Sequence, residues 1–260
     1  MQTTTFLQRR YIGIILPILL IIAWEVVSYF INNPFFLPRF ESVVAVLADP
    51  FRDRLGSGSL ITNAIRSIQR VGLGFLIAAA IAIPLGIAMG WSDRSYRFFD
   101  STIQILRPIP PLAWLPLALA WFKVGLTSIV FIIFIGAFFP ILLNTIDGVK
   151  NVRTTWLEVA STLGASERQL LVKVVIPGAA PLIWTGLRIG FGIAWMVVVA
   201  AEILPGTTSG LGYLIMYAYN FGQIALIIAG MIVIGIIGIT FDFFFQGIEK
   251  KKFAWRRLER

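Results

Sequence analysis

Three charged residues interrupt long apolar stretches of this sequence, namely Glu25, Arg188 and Glu202. Ions inside apolar segments are costly, so they usually face protein or water and pair with another group or with a ligand. Arg188 suits an anionic ligand because its guanidinium fork matches oxyanion geometry; a structural ion pair or an extension to the lipid headgroups is the alternative. We interpret Glu25 and Glu202 as partners of Arg66 or Arg70 rather than as a proton relay.

Other chemistry is excluded by residues that the sequence lacks. There is no histidine and no cysteine, which rules out His/Cys zinc sites, thiol nucleophiles and histidine acid–base catalysis. The 13 acidic residues form no catalytic or metal-binding group. No Gly-x-x-x-x-Gly-Lys-Ser/Thr loop occurs, so the chain does not bind ATP by that device. We therefore expect a non-enzymatic chain with no metal or cofactor of its own.

The elements that carry these residues are transmembrane helices. Hydrophobic residues make up 58% of the 260 residues and charged residues only 13%, whereas a soluble domain carries about 25% charge. The mean hydropathy is +0.85. The composition therefore predicts an all-α membrane protein with one domain over residues 1–260. Runs of about 20 apolar residues predict six spans: 11–31, 65–89, 103–122, 126–146, 179–203 and 224–247.

The basic residues predict the orientation. With both termini in the cytoplasm, 15 of the 22 Lys and Arg residues lie inside and 6 outside, which fits the positive-inside rule. The tail 250–260 supplies most of this bias. The net charge of +9 is thereby explained by topology and by anionic membrane lipid, and we expect no nucleic-acid partner. Outside, residues 40–51 are predicted to form a short interfacial helix, followed by a Gly/Ser turn at 56–59.

Proline and glycine mark places where the helices bend or touch. Pro108, Pro110, Pro111 and Pro116 interrupt the third span. The pairs Gly86/Gly90 and Gly186/Gly190 are spaced to allow close helix–helix contact. These features are common in any transmembrane bundle, so packing alone explains them as well as a moving transport path does.

The segment 150–177 is far longer than the loops that usually join packed helices, which run to about 8 residues. Apolar residues at helical spacing predict two short helices, one before and one after Gly164. Ser166 is a predicted N-cap for the second helix, and Pro177 is predicted to end it before the fifth span. Charged side chains at regular intervals on the basic side of the membrane indicate a contact surface for another protein; a helix lying on the headgroups is the alternative.

The spacing within this segment resembles the cytoplasmic EAA loop of bacterial ABC-importer permeases. Glu158-Val159-Ala160 is followed by three residues, Gly164, nine residues and Val174-Val175-Ile176-Pro177. The family pattern is Glu-Ala-Ala, three residues, Gly, nine residues and Ile-x-Leu-Pro, so the spacing fits without a gap. Further stretches are similar to the nitrate/taurine/sulfonate branch: 107–116, 139–145, 186–188, 194–195, 201–202 and 209–214.

The resemblance implies the type I ABC importer permease fold with a cytoplasmic coupling helix at 156–164. It implies ATPase-coupling roles for six residues: Trp156, Glu158, Ala160, Gly164, Ala165 and Pro177. It further implies a homodimer in a prokaryotic plasma (inner) membrane, two ATPase subunits that bind ATP and Mg, and a periplasmic or lipid-anchored substrate-binding protein. The expected cargo is a small oxyanion or sulfonate, in the class of nitrate, taurine, alkanesulfonates and bicarbonate.

Five residues are predicted to line the transport path: Asn144, Arg188, Trp195, Met196 and Glu202. The competing hypotheses are an ion-coupled secondary transporter or channel without an ATPase, and an integral membrane enzyme. The first predicts a repeat or a carboxylate relay and the second a carboxylate or metal cluster. The sequence contains none of these, and neither hypothesis accounts for the segment 150–177.

Overall fold

The computed structural model describes residues 4–204 and 206–253, with side chains described from Ile15 onward. Every regular element in this part of the chain is helical. The α-helices, in chain order, are α1 Thr4–Ile31, α2 Phe40–Ala48, α3 Leu60–Trp91, α4 Asp93–Leu106, α5 Leu115–Phe122, α6 Leu126–Lys150, α7 Thr154–Thr162, α8 Glu167–Leu170, α9 Ile176–Glu202, α10 Leu211–Asn220 and α11 Ile224–Lys252.

Within the described residues, four helical stretches are long and apolar enough to cross a membrane: Leu60–Trp91, Leu126–Lys150, Glu167–Glu202 and Ile224–Lys252. A bent pair, Asp93–Leu106 with Pro111–Phe122, makes a fifth if it is counted as one span. The described part of α1 adds a shorter apolar helix, Ile15–Ile31. The total of six spans therefore stays a prediction. Most of the basic tail, residues 250–260, lies outside the described residues.

Helices α3, α6 and α9 pack side by side and form the main core. Contact between α3 and α6 is close because glycines on α3 face side chains of α6. A Cβ atom added at Gly86 would lie 2.6 Å from Cβ of Thr145, and one at Gly90 would lie 2.5 Å from Cβ of Val149. The close contact predicted for this glycine pair is thus confirmed. Gly186 and Gly190 on α9 likewise meet α6.

Replacing Gly86 by alanine is expected to destabilise the chain by about 1–3 kcal/mol, because the new methyl group overpacks the contact with Thr145. The matched control is Gly72→Ala on the same helix, where an added Cβ meets nothing within 4 Å. That change should be neutral or stabilise by up to about 1 kcal/mol through helix propensity. Denaturant unfolding of the detergent-solubilised protein measures both. Equal stability of the two variants would contradict the α3–α6 contact.

The predicted third span is not one helix. Helix α4 ends at Leu106, a short 3₁₀ turn covers Pro111–Trp114, and α5 begins at Leu115 after an 86° bend. The prolines are the physical reason, because each lacks an N–H donor and disfavours helical geometry in the residue before it. The prediction that prolines interrupt this span is confirmed, and its bounds 103–122 stay a prediction because the bent pair can be counted as one broken span.

Pro177 does not end a helix, which corrects the prediction from its position. A continuous helical stretch of 36 residues runs from Glu167 to Glu202, and Pro177 lies in the first turn of α9. The five residues before α9 form a π-helical turn, Leu171–Val175, in which the N–H of Ile176 bonds the carbonyl of Leu171. This wider turn accommodates the proline, whose ring would otherwise clash with the carbonyl four residues earlier.

The short helix and turn predicted after the first span are both present. Helix α2 covers Phe40–Ala48, and Gly56 and Gly58 have φ angles of +76° and +85° in the turn that follows. Glu25 does not pair with Arg66 or Arg70 as predicted. Its carboxylate accepts a 3.0 Å hydrogen bond from the backbone N–H of Phe40, so it fixes the start of α2 against α1.

Candidate functional site

Of the two short helices that the sequence predicts in the segment 150–177, the first is α7, Thr154–Thr162, and the second, α8, is the start of the 36-residue helical stretch that continues to Glu202. Gly164 has a φ angle of +81°, the left-handed conformation that terminates a helix and that residues with a Cβ rarely adopt. Ser166 caps α8 with a reciprocal capping box, in which its hydroxyl accepts from the N–H of Gln169 and its own N–H donates to that side chain. Local residues therefore separate α7 from α8 at a defined turn.

Helix α7 is attached to the bundle along one side and free along the other. Trp156 and Leu157 pack on a small cluster that contains Val152 and Val175 from the ends of the flanking helices. Away from this contact, the apolar side chains of Val159 and Leu163 are 61% and 82% exposed. A displacement of α7 would therefore be transmitted to α6 and α9, and its free side presents an apolar surface.

The six predicted coupling residues divide between these two sides. Glu158 is exposed at the middle of α7, whereas Ala160 and Ala165 are half-buried and joined by a 3.0 Å backbone hydrogen bond. Trp156 is half-buried against the bundle, and Gly164 forms the turn. Pro177 lies in the first turn of α9, so the structure brings five of the six together in α7 and its turn.

A cavity of about 610 Å³ opens at the end of the bundle that carries α7, and we call it the inner cavity. It lies between α4, the proline bend and α6. Polar and charged side chains from α4, the bend and α6 line it: Tyr96, Asp100, Gln104, Arg107, Asn144, Asp147 and Lys150. The ammonium nitrogen of Lys150 stands 3.2 Å from the centre of the Tyr96 ring, a cation–π contact between α6 and α4.

Of the five predicted path residues, Asn144 alone lines the inner cavity. Arg188 forms a 2.7 Å ion pair with Asp242 of α11 and a weaker one, at 3.6 Å, with Glu249. Trp195 is buried and donates a hydrogen bond to the carbonyl of Ile234. Met196 is 75% exposed on the surface of the single chain. The structure thus does not bring the five together around one cavity.

Glu202 is fully buried at the opposite end of the bundle. Its carboxylate forms a 2.6 Å ion pair with Arg70, which is one of the two partners predicted for it. Ser67 donates a 2.7 Å hydrogen bond to the same carboxylate, and the N–H of Gly212 donates a longer one. Arg70 also donates to the carbonyl and hydroxyl of Ser209. We call these residues the outer network; they join α3 to the turn between α9 and α10.

A second cavity, of about 970 Å³, lies beside the outer network, and we call it the outer basin. Its rim includes Gly58, in a turn held by Asp53, whose carboxylate accepts backbone N–H bonds from Leu55, Gly56 and Gly58. Loss of hydration inside the turn raises the pKa of the exposed Asp53 carboxyl, but the backbone hydrogen bonds together lower it by more, so the pKa lies below its usual value.

Several residues around these cavities are not among those predicted from the sequence. Tyr96 and Asp100 on α4 line the inner cavity, and Ser67 and Asn63 on α3 bond the start of α10. The sequence does carry a signal for α4, because its polar residues recur at helical spacing. Ser67 and Asn63 give no comparable signal, since their partners lie more than 140 residues away along the chain.

Comparison with known proteins yields a family match and close relatives. Residues 82–252 match the family of binding-protein-dependent transport system inner membrane components. A protein named as an ABC transporter permease of Methanocaldococcus jannaschii is 57% identical over 96% of this chain and 94% of its own length. The taurine transport system permease protein of Escherichia coli is 36% identical, over 92% and 87%. The nitrate import permease protein of Synechocystis is 38% identical, over 88% and 84%.

Among solved structures, the chain resembles a methionine ABC transporter determined in an inward-facing conformation. The TM-score is 0.64 at 18% sequence identity, and the match covers 74% of this chain and 95% of the other. At this identity the likeness concerns the fold, and it confirms the predicted all-α importer permease fold.

Proposed function

Since the chain belongs to the family of binding-protein-dependent transport system inner membrane components, we propose that it is the permease subunit of an ATP-driven importer for a small oxyanion or sulfonate. The observation that carries this proposal is α7, a short helix that packs on the ends of α6 and α9 through Trp156 and Leu157 and leaves Val159, Leu163 and Glu158 exposed. Such a helix is suited to receive a force from another protein and to pass it into the bundle.

The energy comes from partner subunits, because the chain has no phosphate-binding loop of the Gly-x-x-x-x-Gly-Lys-Ser/Thr type. Two ATPase subunits bind ATP and Mg and close against each other, and each moves one α7. The coupling set is Trp156, Glu158, Ala160, Gly164, Ala165 and Pro177. Trp156 carries the displacement into the bundle through its packing near Val152, while Glu158 and the turn at Gly164 belong to the docking surface.

The permease acts as a homodimer in the plasma membrane of a prokaryote, with both termini in the cytoplasm and cargo delivered by a periplasmic or lipid-anchored binding protein. The named relatives transport taurine and nitrate, which supports a small anion or sulfonate as cargo. Asn144 is the predicted path residue with the most direct support, because it lines the inner cavity. Arg188, Trp195, Met196 and Glu202 stay candidate path residues, and the exposed thioether of Met196 would face the path or the second copy.

The test is co-expression of the full-length chain with the ATPase and binding protein encoded beside its gene, followed by purification through a tag on the permease. We expect the ATPase to co-purify in equal numbers with the permease, and nitrate or taurine uptake into proteoliposomes to require ATP and the binding protein. Failure of any ATPase to associate, together with uptake driven by an ion gradient alone, would replace this function with that of a secondary transporter.

A further inference from the structure

One face of α3 carries polar side chains that the single chain leaves uncovered. Thr62, Arg66, Gln69 and Leu73 lie four, three and four residues apart, which places them on one stripe of the helix. All four side chains are exposed. A charged and an amide side chain on the exposed side of a transmembrane helix do not face lipid, because hydrocarbon offers neither of them a partner. This stripe therefore faces water, the polar headgroups or another protein.

The stripe is a wall of the outer basin. Neutral side chains from α3 and from the turn before α10 that can donate hydrogen bonds line the basin together with Arg66: Thr62, Gln69, Thr208 and Ser209. Among the side chains that the structure describes, none of those lining the basin is acidic. The inner cavity is different, because the negative charges of Asp100 and Asp147 offset the positive charges of its two basic residues, Arg107 and Lys150. The outer basin thus has a positive charge and hydrogen-bond donors, without a carboxylate to compete for them.

Two arginines of the basin, Arg66 and Arg70, lie one turn apart on α3 and differ in whether their charge is paired. Arg70 is engaged by Glu202 at 2.6 Å and by Ser209, so its charge is neutralised within the outer network. Arg66 has an exposed side chain and no ion-pair partner among the residues with described side chains. The guanidinium of Arg66 is therefore the charge that remains available to a ligand.

We propose that the outer basin is the site where the anionic cargo first binds the permease, and that Arg66 is the residue that selects an anion. This inference rests on the proposed function, because the cargo reaches this end of the bundle only if α7 lies in the cytoplasm. The Arg66 fork binds the oxygens of a nitrate, sulfonate or similar oxyanion, and Gln69 and the hydroxyls supply neutral hydrogen bonds. Binding is weak enough for release because the basin is open and hydrated.

The chain contains no cysteine, so a single introduced thiol reports on the basin directly. Gln69→Cys places a thiol about 6 Å from the side chain of Arg66, three residues away on the helix. In the full-length chain, in right-side-out membrane vesicles, its reaction rate is measured with two thiosulfonate reagents, one bearing a sulfonate and the other a trimethylammonium, whose intrinsic difference in reactivity cancels when variants are compared. The ratio of the two rates reports the local charge and cancels any change in thiol ionisation.

Adding Arg66→Gln is expected to lower the sulfonate-to-ammonium rate ratio about three- to tenfold, which is the effect of one charge at that distance with partial salt screening. Arg66→Lys should preserve the ratio because it keeps the charge. Arg52→Gln removes a charge from the same side of the membrane but outside the outer basin, and it should change the ratio far less. Nitrate or taurine in the buffer should slow the sulfonate reagent in the chain that retains Arg66.

The inference is overturned if Arg66→Gln and Arg52→Gln change the ratio equally, or if neither reagent reaches the thiol. Leu73→Cys, one turn deeper on the same stripe, is a second reporter thiol. It repeats the measurement in case Gln69→Cys disturbs the local fold. The assay needs neither ATP nor an ATPase, so it can fail while the ATPase still co-purifies. Conversely, if no ATPase associates with the chain but Arg66→Gln still lowers the rate ratio, the proposed importer function is wrong and the anion site stands.

Discussion

Changing Glu158 to arginine together with Gly164 to leucine is expected to release the ATPase from the permease and to reduce cargo uptake more than about tenfold. Glu158 is exposed at the centre of α7, so the first change reverses the charge of the proposed docking surface. Gly164 has a φ angle of +81°, and a leucine there strains the turn by about 1–2 kcal/mol or shifts it. Changes at the centre of an interface commonly cost about 2 kcal/mol each, or roughly 30-fold in affinity.

The measurement is the amount of ATPase that co-purifies with the tagged permease, together with ATP hydrolysis by the purified complex. The chain offers a matched control at its other end, Glu41→Arg with Gly56→Leu. Glu41 is likewise an exposed acid on a short helix, and Gly56 has a φ angle of +76° with open space around it, as Gly164 does. Equal loss of ATPase from both double variants would mean that misfolding, and not the α7 surface, is responsible.

Removing either partner of the Arg70–Glu202 pair is expected to destabilise the chain by about 3–5 kcal/mol, because the other charge is left largely buried without an opposite charge beside it. Glu202 is fully buried, and Arg70 is 12% exposed. Glu202→Leu also deprives Ser67 and the N–H of Gly212 of their acceptor. The double variant Arg70→Met with Glu202→Leu should recover part of the loss, because it leaves no unpaired ion.

Unfolding of the solubilised protein by denaturant measures these differences. The control is Arg188→Met, which breaks a pair of nearly the same length, 2.7 Å to Asp242, whose side chains are 34% and 49% exposed. Exposed ion pairs contribute little to stability, so this variant should lose much less than Arg70→Met. Similar losses of stability in Arg70→Met and Arg188→Met would show that burial does not account for the contribution of the Arg70–Glu202 pair to stability.

The sequence alone predicted the features that depend on neighbouring residues. Gly164 and Ser166 mark the end of one helix and the start of the next, because a left-handed residue and an N-cap act within a single turn. The break after Leu106 follows from adjacent prolines for the same reason. The apolar runs and the spacing of 158–177 sufficed to predict a membrane permease, because hydropathy and a short motif are local properties too.

The prediction that Pro177 ends a helix was wrong because it used a rule that considers only the neighbouring residues. Proline usually ends a helix, but here the turn before it is π-helical and the helix continues to Glu202. Whether a proline ends a helix or lies within its first turn depends on how well the flanking residues pack, and Val175 and Ala179 are buried in one cluster. That packing draws on α6 and is not visible in the sequence around the proline.

Tertiary structure alone decided which charged groups are neutralised and which remain available. Arg66 and Arg70 are one helical turn apart, indistinguishable in the sequence and both at the outer basin, yet only Arg70 of the two reaches Glu202, 132 residues later. Likewise, Asn144 lines a cavity while Arg188 pairs with Asp242, 54 residues away. Partner choice depends on which helix faces are brought together, and the amino-acid sequence specifies those faces only through the packing of the whole bundle.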